Sequence, residues 1–245
     1  FYSPHDPYFK DMFFQNFAYE GDIIVLGQGS KADFAYDGDV IYHEFGHATI
    51  EGTAKLSYAA FPDKYGYSNE TLGLNEGMAD TFSFIVSGDA CLGEYVSEAY
   101  GAMYGYEKTG DYYCLRHAEN EELVNESFTG ESHHDGLPAV SAHWQMYQAA
   151  LEKGYTTDDF AKYFMTSLLS IVFSDLDYEG WGKILLKTVK NTDLSPLEET
   201  FEKILEEKGF FSEIRARNIM SKADYLFSGG IAQYQGMPAN TLEVE

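Results

Sequence analysis

The stretch His43-Glu44-Phe45-Gly46-His47 constrains this chain more than any other, because its parts fit together only on a helix. On an α-helix residues i and i+4 share a face, so His43 and His47 can both point at one metal ion. Glu44 sits one position round from that face, within reach of a water on the metal but poorly placed as a ligand. Water on zinc has its pKa lowered towards neutrality, and an adjacent carboxylate can take its proton. The five residues therefore carry the chemistry of peptide hydrolysis. Their flanks agree with a helix of three to four turns. Asp37-Gly38-Asp39 offers N-cap candidates ahead of Val40-Ile41-Tyr42, and Gly52 gives a stop signal downstream. Gly46 costs about 1 kcal/mol against Ala inside such a helix, which points to something packed close against it.

Two histidines do not hold a catalytic zinc; a third protein ligand is needed, with the fourth position left to water. The run from Leu74 to Gly88 offers one. It reads as a helix with apolar residues at Leu74, Met78, Phe82 and Ile85, closed by Gly88. Glu76 and Asp80 are again i and i+4, so two carboxylates share one face. One can bind the metal while the other orients a histidine ligand by accepting its second N–H.

With HEFGH followed by LNEGMAD, the chain resembles the gluzincin metallopeptidases, the thermolysin and fungalysin group. In that family a Glu in an N-E-x-x-x-D motif completes the zinc site. The resemblance implies His43, His47 and Glu76 as ligands of one zinc ion and Glu44 as catalytic base. It makes Asp80 the partner of a ligand histidine, with Asn75 as a further supporting residue. The 28 residues between His47 and Glu76 are more than in thermolysin and nearer fungalysin, which implies an insertion at about residues 52–66. Tyr67 has the offset of the thermolysin active-site tyrosine, although in a chain with 20 Tyr a packing or surface tyrosine reads equally well. The later segment Glu131-Ser132-His133-His134-Asp135-Gly136, counted back from Gly136 and Trp144, places His133 as a hydrogen-bond donor to the transition state. A slip of one residue would give that role to His134. His143 reads as packing.

Charge narrows the partners. Forty acidic residues against 16 basic ones give a net charge of −24, which disfavours nucleic acid and anionic membranes, since phosphate binding needs clustered Lys and Arg. It suits solubility outside the cell, in keeping with the secreted, extracellular or periplasmic enzyme acting on polypeptides that the resemblance implies, and carboxylates could also serve calcium, although no Asp-rich loop has a calcium spacing. Cys91 and Cys114 read either as one disulfide or as two free buried thiols. The apolar run from Leu168 to Phe173 falls far short of a membrane span. No signal peptide is visible, and the start at Phe1 reads as trimmed. Phe1-Tyr2 looks like the aromatic pair that follows a substrate-binding Asn-Ala in thermolysin-like enzymes, which implies a longer precursor with an upstream pro-domain.

The expected fold class is α+β, a thermolysin-like zincin. A small mixed β-sheet and the metal-binding helices form the front, an all-helical lobe the rear, and zinc lies between them. A front lobe over residues 1–136, a helical lobe over 137–225 and an extended tail over 226–245 divide the chain. One strand is expected within 22–27, loop and short helix over 89–132, and helices over 140–151, 158–173, 178–188 and 194–208. The functional expectation is a monomeric zinc metalloendopeptidase. Its rivals are a zinc-stabilised binding or adhesion module that no longer turns over, and an aminopeptidase of the same superfamily.

Overall fold

A computed structural model describes residues 17–20, 23–28, 31–57, 61–63, 66–104, 108–109, 112–212, 217–218 and 241–242. Phe1-Tyr2 and most of the tail lie outside these residues. The first described elements are an antiparallel pair, β1 (Phe17–Glu20) and β2 (Ile23–Leu26), in register Ala18↔Val25. Helix α1 (Gly38–Thr53) follows, N-capped by Asp37, whose carboxylate accepts from the Asp39 and Val40 amides. Hairpin β3 (Phe61–Asp63) and β4 (Gly66–Ser68) comes next, partly within the 52–66 stretch where the resemblance implies an insertion.

Helix α2 (Glu70–Ser87) begins four residues before the start expected from periodicity. Its first turn is held by tertiary contacts rather than by a local cap. Glu70 Oε2 accepts from the Tyr178 amide at 3.0 Å, and the Thr71 hydroxyl donates to the Leu176 carbonyl at 2.8 Å. Gly88, at φ +80°, ends α2 in the left-handed conformation that glycine adopts without strain.

The described residues within 89–132 hold more regular structure than their composition suggests. They contain β5 (Cys91–Leu92), α3 (Glu94–Tyr104), β6 (Lys108–Thr109), β7 (Tyr112–Tyr113) and β8 (Arg116–His117). Asp37 also accepts from the Val96 amide at 3.0 Å, so one carboxylate serves the starts of both α1 and α3. A local reading of the sequence cannot see that distant cap. Cys91 and Cys114 are joined by a disulfide with Cα atoms 5.4 Å apart.

The rear is helical: α4 (Ser132–Asp135), α5 (Leu137–Glu152), α6 (Thr157–Leu169), α7 (Tyr178–Val189) and α8 (Glu198–Glu207). Helix α6 carries a full capping box between Thr156 and Asp159. It stops at Leu169, short of the expected Phe173. Ile171 turns into the core while Val172 and Phe173 stay exposed, so the apolar run there is not a helix face. One short pair, β9 (Arg217–Asn218) with β10 (Thr241–Leu242), completes the described residues. All ladders among them are antiparallel. No helix among them is long and apolar enough to cross a membrane.

One hydrophobic core runs from Ile50, Leu74 and Met78 on α1 and α2 to Trp181, Leu185 and Phe201 on α7 and α8. His143 stands inside it. Its Nε2 accepts from the Trp181 indole N–H at 2.8 Å, which leaves Nδ1 as the protonated nitrogen facing the Thr81 hydroxyl at 2.8 Å. Burial pushes its pKa down to about 3, so this histidine is neutral packing. A histidine with a lowered folded pKa contributes stability that is present above its unfolded pKa and lost as pH falls. The window here runs from about 6.5 down towards 3. His143→Phe should cost about 2–3 kcal/mol at pH 7 by orphaning the indole N–H. That deficit should shrink by about 1.4 kcal/mol per pH unit below about 6.5, because only the wild type gains a proton on unfolding. Urea unfolding of both proteins at pH 7, 5.5 and 4.5 measures it, and a deficit independent of pH would contradict the assignment.

Candidate metal centre

Helices α1 and α2 cross with their backbones almost touching. A Cβ on Gly46 would lie 2.8 Å from the Ala79 Cα, so only glycine permits this approach. The crossing brings the 43–47 face of α1 onto the 75–80 face of α2. His43, Glu44 and His47 are all buried. The two imidazole Nε2 atoms stand 3.0 Å apart with the rings edge-on. Glu76 Oε2 lies 3.4 Å from each of them.

The outer nitrogens fix the tautomers. His43 Nδ1 is 2.6 Å from Asp80 Oδ1, and His47 Nδ1 is 2.8 Å from Asn75 Oδ1. Both oxygens are acceptors, so both Nδ1 atoms carry hydrogen and both Nε2 lone pairs face the centre. Glu76 Oε2 is buried there without a hydrogen bond. Converging lone pairs and an orphaned carboxylate oxygen need a positive charge among them. Burial works to lower the His47 pKa, but Glu76, together with Glu44 and the Asn75 hydrogen bond, more than offsets it and lifts the value to about 9, the mark of a strongly negative surround. Two imidazoles and one carboxylate are a donor set suited to zinc, so these residues fit such an ion. His43, Glu76 and His133 likewise bring ligand atoms within 4.8 Å of one another.

Glu44 lies at the edge of this group, with Oε1 3.9 Å from His43 Nε2 and Oε2 buried without a hydrogen-bond partner. Burial pushes its pKa up, against the pull of His43 and His47. A carboxylate shifted that way is a better proton acceptor near neutrality.

The structure separates the two adjacent histidines. Glu131 caps α4 by accepting from the His133 and His134 amides, and its Oε1 also lies 2.6 Å from His133 Nδ1. This turns His133 Nε2 into the centre, 3.3 Å from Glu76 Oε2. Burial lowers the His133 pKa, but Glu76 and Glu131 more than offset that, leaving it raised and the ring a ready donor. His134 faces the other way, with Nε2 3.1 Å from the Ser127 carbonyl. Tyr67 lies in β4 opposite Pro62, and its side chain is outside the described residues.

Sequence reasoning missed Arg116. Its guanidinium grips Asp80 in a fork, Nε to Oδ2 at 2.6 Å and Nη2 to Oδ1 at 2.7 Å. Burial works to raise the Asp80 pKa, yet Arg116 and then His43 hold it well below the usual carboxylate range. The one available signal was compositional: Arg116 is the only arginine before Arg215.

No protein-family model matches the sequence, and no curated protein matches it significantly. A solved structure does. The precursor of protealysin, a metalloproteinase from Serratia proteamaculans, superposes with a TM-score of 0.62 at 18% identity. The match covers 81% of this chain and 66% of that one, just under two thirds of its length. The α+β fold expected from the sequence is the fold of that metalloproteinase precursor.

Proposed function

We propose that the chain is a secreted zinc metalloendopeptidase acting on polypeptides. The observation that carries this reading is the convergence of the His43 and His47 Nε2 atoms on a Glu76 oxygen that has no hydrogen bond, beside a second such carboxylate, Glu44. A purely structural centre has no need of that second carboxylate. His43, His47 and Glu76 would hold the ion, with Asp80 and Asn75 fixing the rings. A zinc ion held there supplies Lewis acidity to the scissile carbonyl and lowers the pKa of water. Glu44 takes the proton of the attacking water and returns it to the leaving amine. His133, oriented by Glu131, donates to the oxygen on which negative charge develops.

One observation favours the rival reading of an inactive binding module: His133 Nε2 stands close enough to Glu76 to act as a fourth ligand and close the centre. His133→Ala separates the two. In a peptidase it should lower kcat/KM by about 100- to 1,000-fold with zinc affinity nearly kept, whereas a closed four-ligand centre would lose zinc. His134→Ala should change neither quantity by more than about twofold, since that ring points away from the centre. Cleavage of end-blocked, internally quenched peptides by zinc-loaded protein, with zinc content measured in parallel, gives both readouts. Cleavage of blocked peptides also argues against an aminopeptidase.

A further inference from the structure

The disulfide lies on a direct route to the centre. Cys91 belongs to β5, which follows α2 after the Gly88 turn, and Cys114 stands two residues before Arg116. Strands β5 and β8 pair over only two positions, Cys91↔His117 and Leu92↔Arg116. Two flanking hydrogen bonds extend the ladder, from the Leu115 amide to the Leu92 carbonyl and from the Ala118 amide to the Ala90 carbonyl, each 2.8 Å. A pair this short is marginal by itself and opens readily without further restraint. From β8 the Arg116 side chain returns to α2 and forks onto Asp80, whose Oδ1 also receives His43 Nδ1. A planar fork of this kind depends on where its backbone is held, and lysine cannot reproduce it.

We propose that the Cys91–Cys114 disulfide is a positioning element for the metal centre: it pins β8 so that Arg116 stays locked on Asp80, and breaking it slackens the hold on His43. This rests on the reading of the centre as a metal site. Cys91 is partly exposed, so a soluble reductant can reach it. A phosphine breaks the Sγ–Sγ bond with two electrons. Each sulfur gains a proton from water, and the water oxygen leaves on the phosphine as its oxide. A dithiol achieves the same reduction by forming its own disulfide.

The test is a double-mutant cycle on the full chain, read as zinc affinity by chelator competition and as peptide hydrolysis. Wild type, Arg116→Ala, Cys91→Ser/Cys114→Ser and the triple variant are compared at a temperature where unfolding curves show each to be folded. Arg116→Ala and the double serine variant should each weaken zinc binding about tenfold or more. Their combination should weaken it little beyond the larger single effect, because both act through one contact. Phosphine treatment of wild type should reproduce the serine variant and leave that variant unchanged. Arg116→Lys, which keeps the charge without the fork, should behave as Arg116→Ala. If the serine variant does not fold, phosphine reduction of native wild type alone decides the outcome. Unchanged zinc affinity without the disulfide, or losses that multiply in the triple variant, would overturn the proposal. Wild type that binds zinc but cleaves nothing sinks the peptidase reading alone, since the affinity cycle still tests the disulfide.

Discussion

Glu44→Gln is expected to lower peptide hydrolysis by at least about 1,000-fold while leaving zinc bound. Glutamine keeps the size of the side chain and can still accept hydrogen bonds, but it cannot take a proton from water. Positioned proton transfer is worth about 100- to 10,000-fold in rate. An effect at the upper end of that range is expected for Glu44, because it is buried and its Oε2 has no other hydrogen-bond partner. The nitrogen and oxygen donors of His43, His47 and Glu76 are untouched, so zinc content should stay near one ion per chain. Chelation should abolish wild-type hydrolysis and added zinc should restore it. A Glu44→Gln protein that cleaves casein as fast as the parent would overturn the mechanism, and one that loses its zinc would mean that Glu44 is itself a ligand.

The second large effect is structural. Gly77→Ala should destabilise the protein by about 3 kcal/mol or more and take hydrolysis with it. A Cβ there would lie 2.6 Å from the Gly136 carbonyl oxygen and 3.0 Å from the Ala139 Cβ. Across the same crossing, a Cβ on Gly136 would meet the Gly73 oxygen at 2.7 Å. The partners are mostly backbone, with no flexible side chain to swing aside, so α2 and the α4–α5 junction must move apart. That contact sets the separation of Glu76 from His133. Gly52→Ala is the control: in the last turn of α1 nothing lies within 4 Å of its Cβ, and alanine there should be neutral or stabilise by up to about 1 kcal/mol. Urea unfolding of the three proteins measures the contrast. A Gly77→Ala protein as stable as Gly52→Ala would mean that the helices are not in backbone contact.

Legibility of the centre follows distance along the chain. The i, i+4 pairs His43/His47 and Glu76/Asp80 are local, and the helix that makes them meaningful is signalled by Asp37 and Gly88 a few residues away. Gly46 announced a close approach without naming its partner, which is Ala79. Which of two adjacent histidines faces the centre was beyond periodicity, because the α4 cap chooses and Glu131 spends one carboxylate on both the cap and the ring. Arg116 left almost no trace, since its grip on Asp80 spans 36 positions and needs the β5–β8 pairing to exist.

The candidate donors, the candidate base and the two helices that carry them were thus legible along the chain, because 3.6-residue periodicity and local caps are written within a few residues. Folding was needed to show how far apart those candidate donors stand, that His133 and not His134 turns inward, and that Arg116 backs the Asp80–His43 pair. These depend on glycine-permitted backbone contacts and on buried charge pairing between distant segments. Only the folded chain brings those segments together.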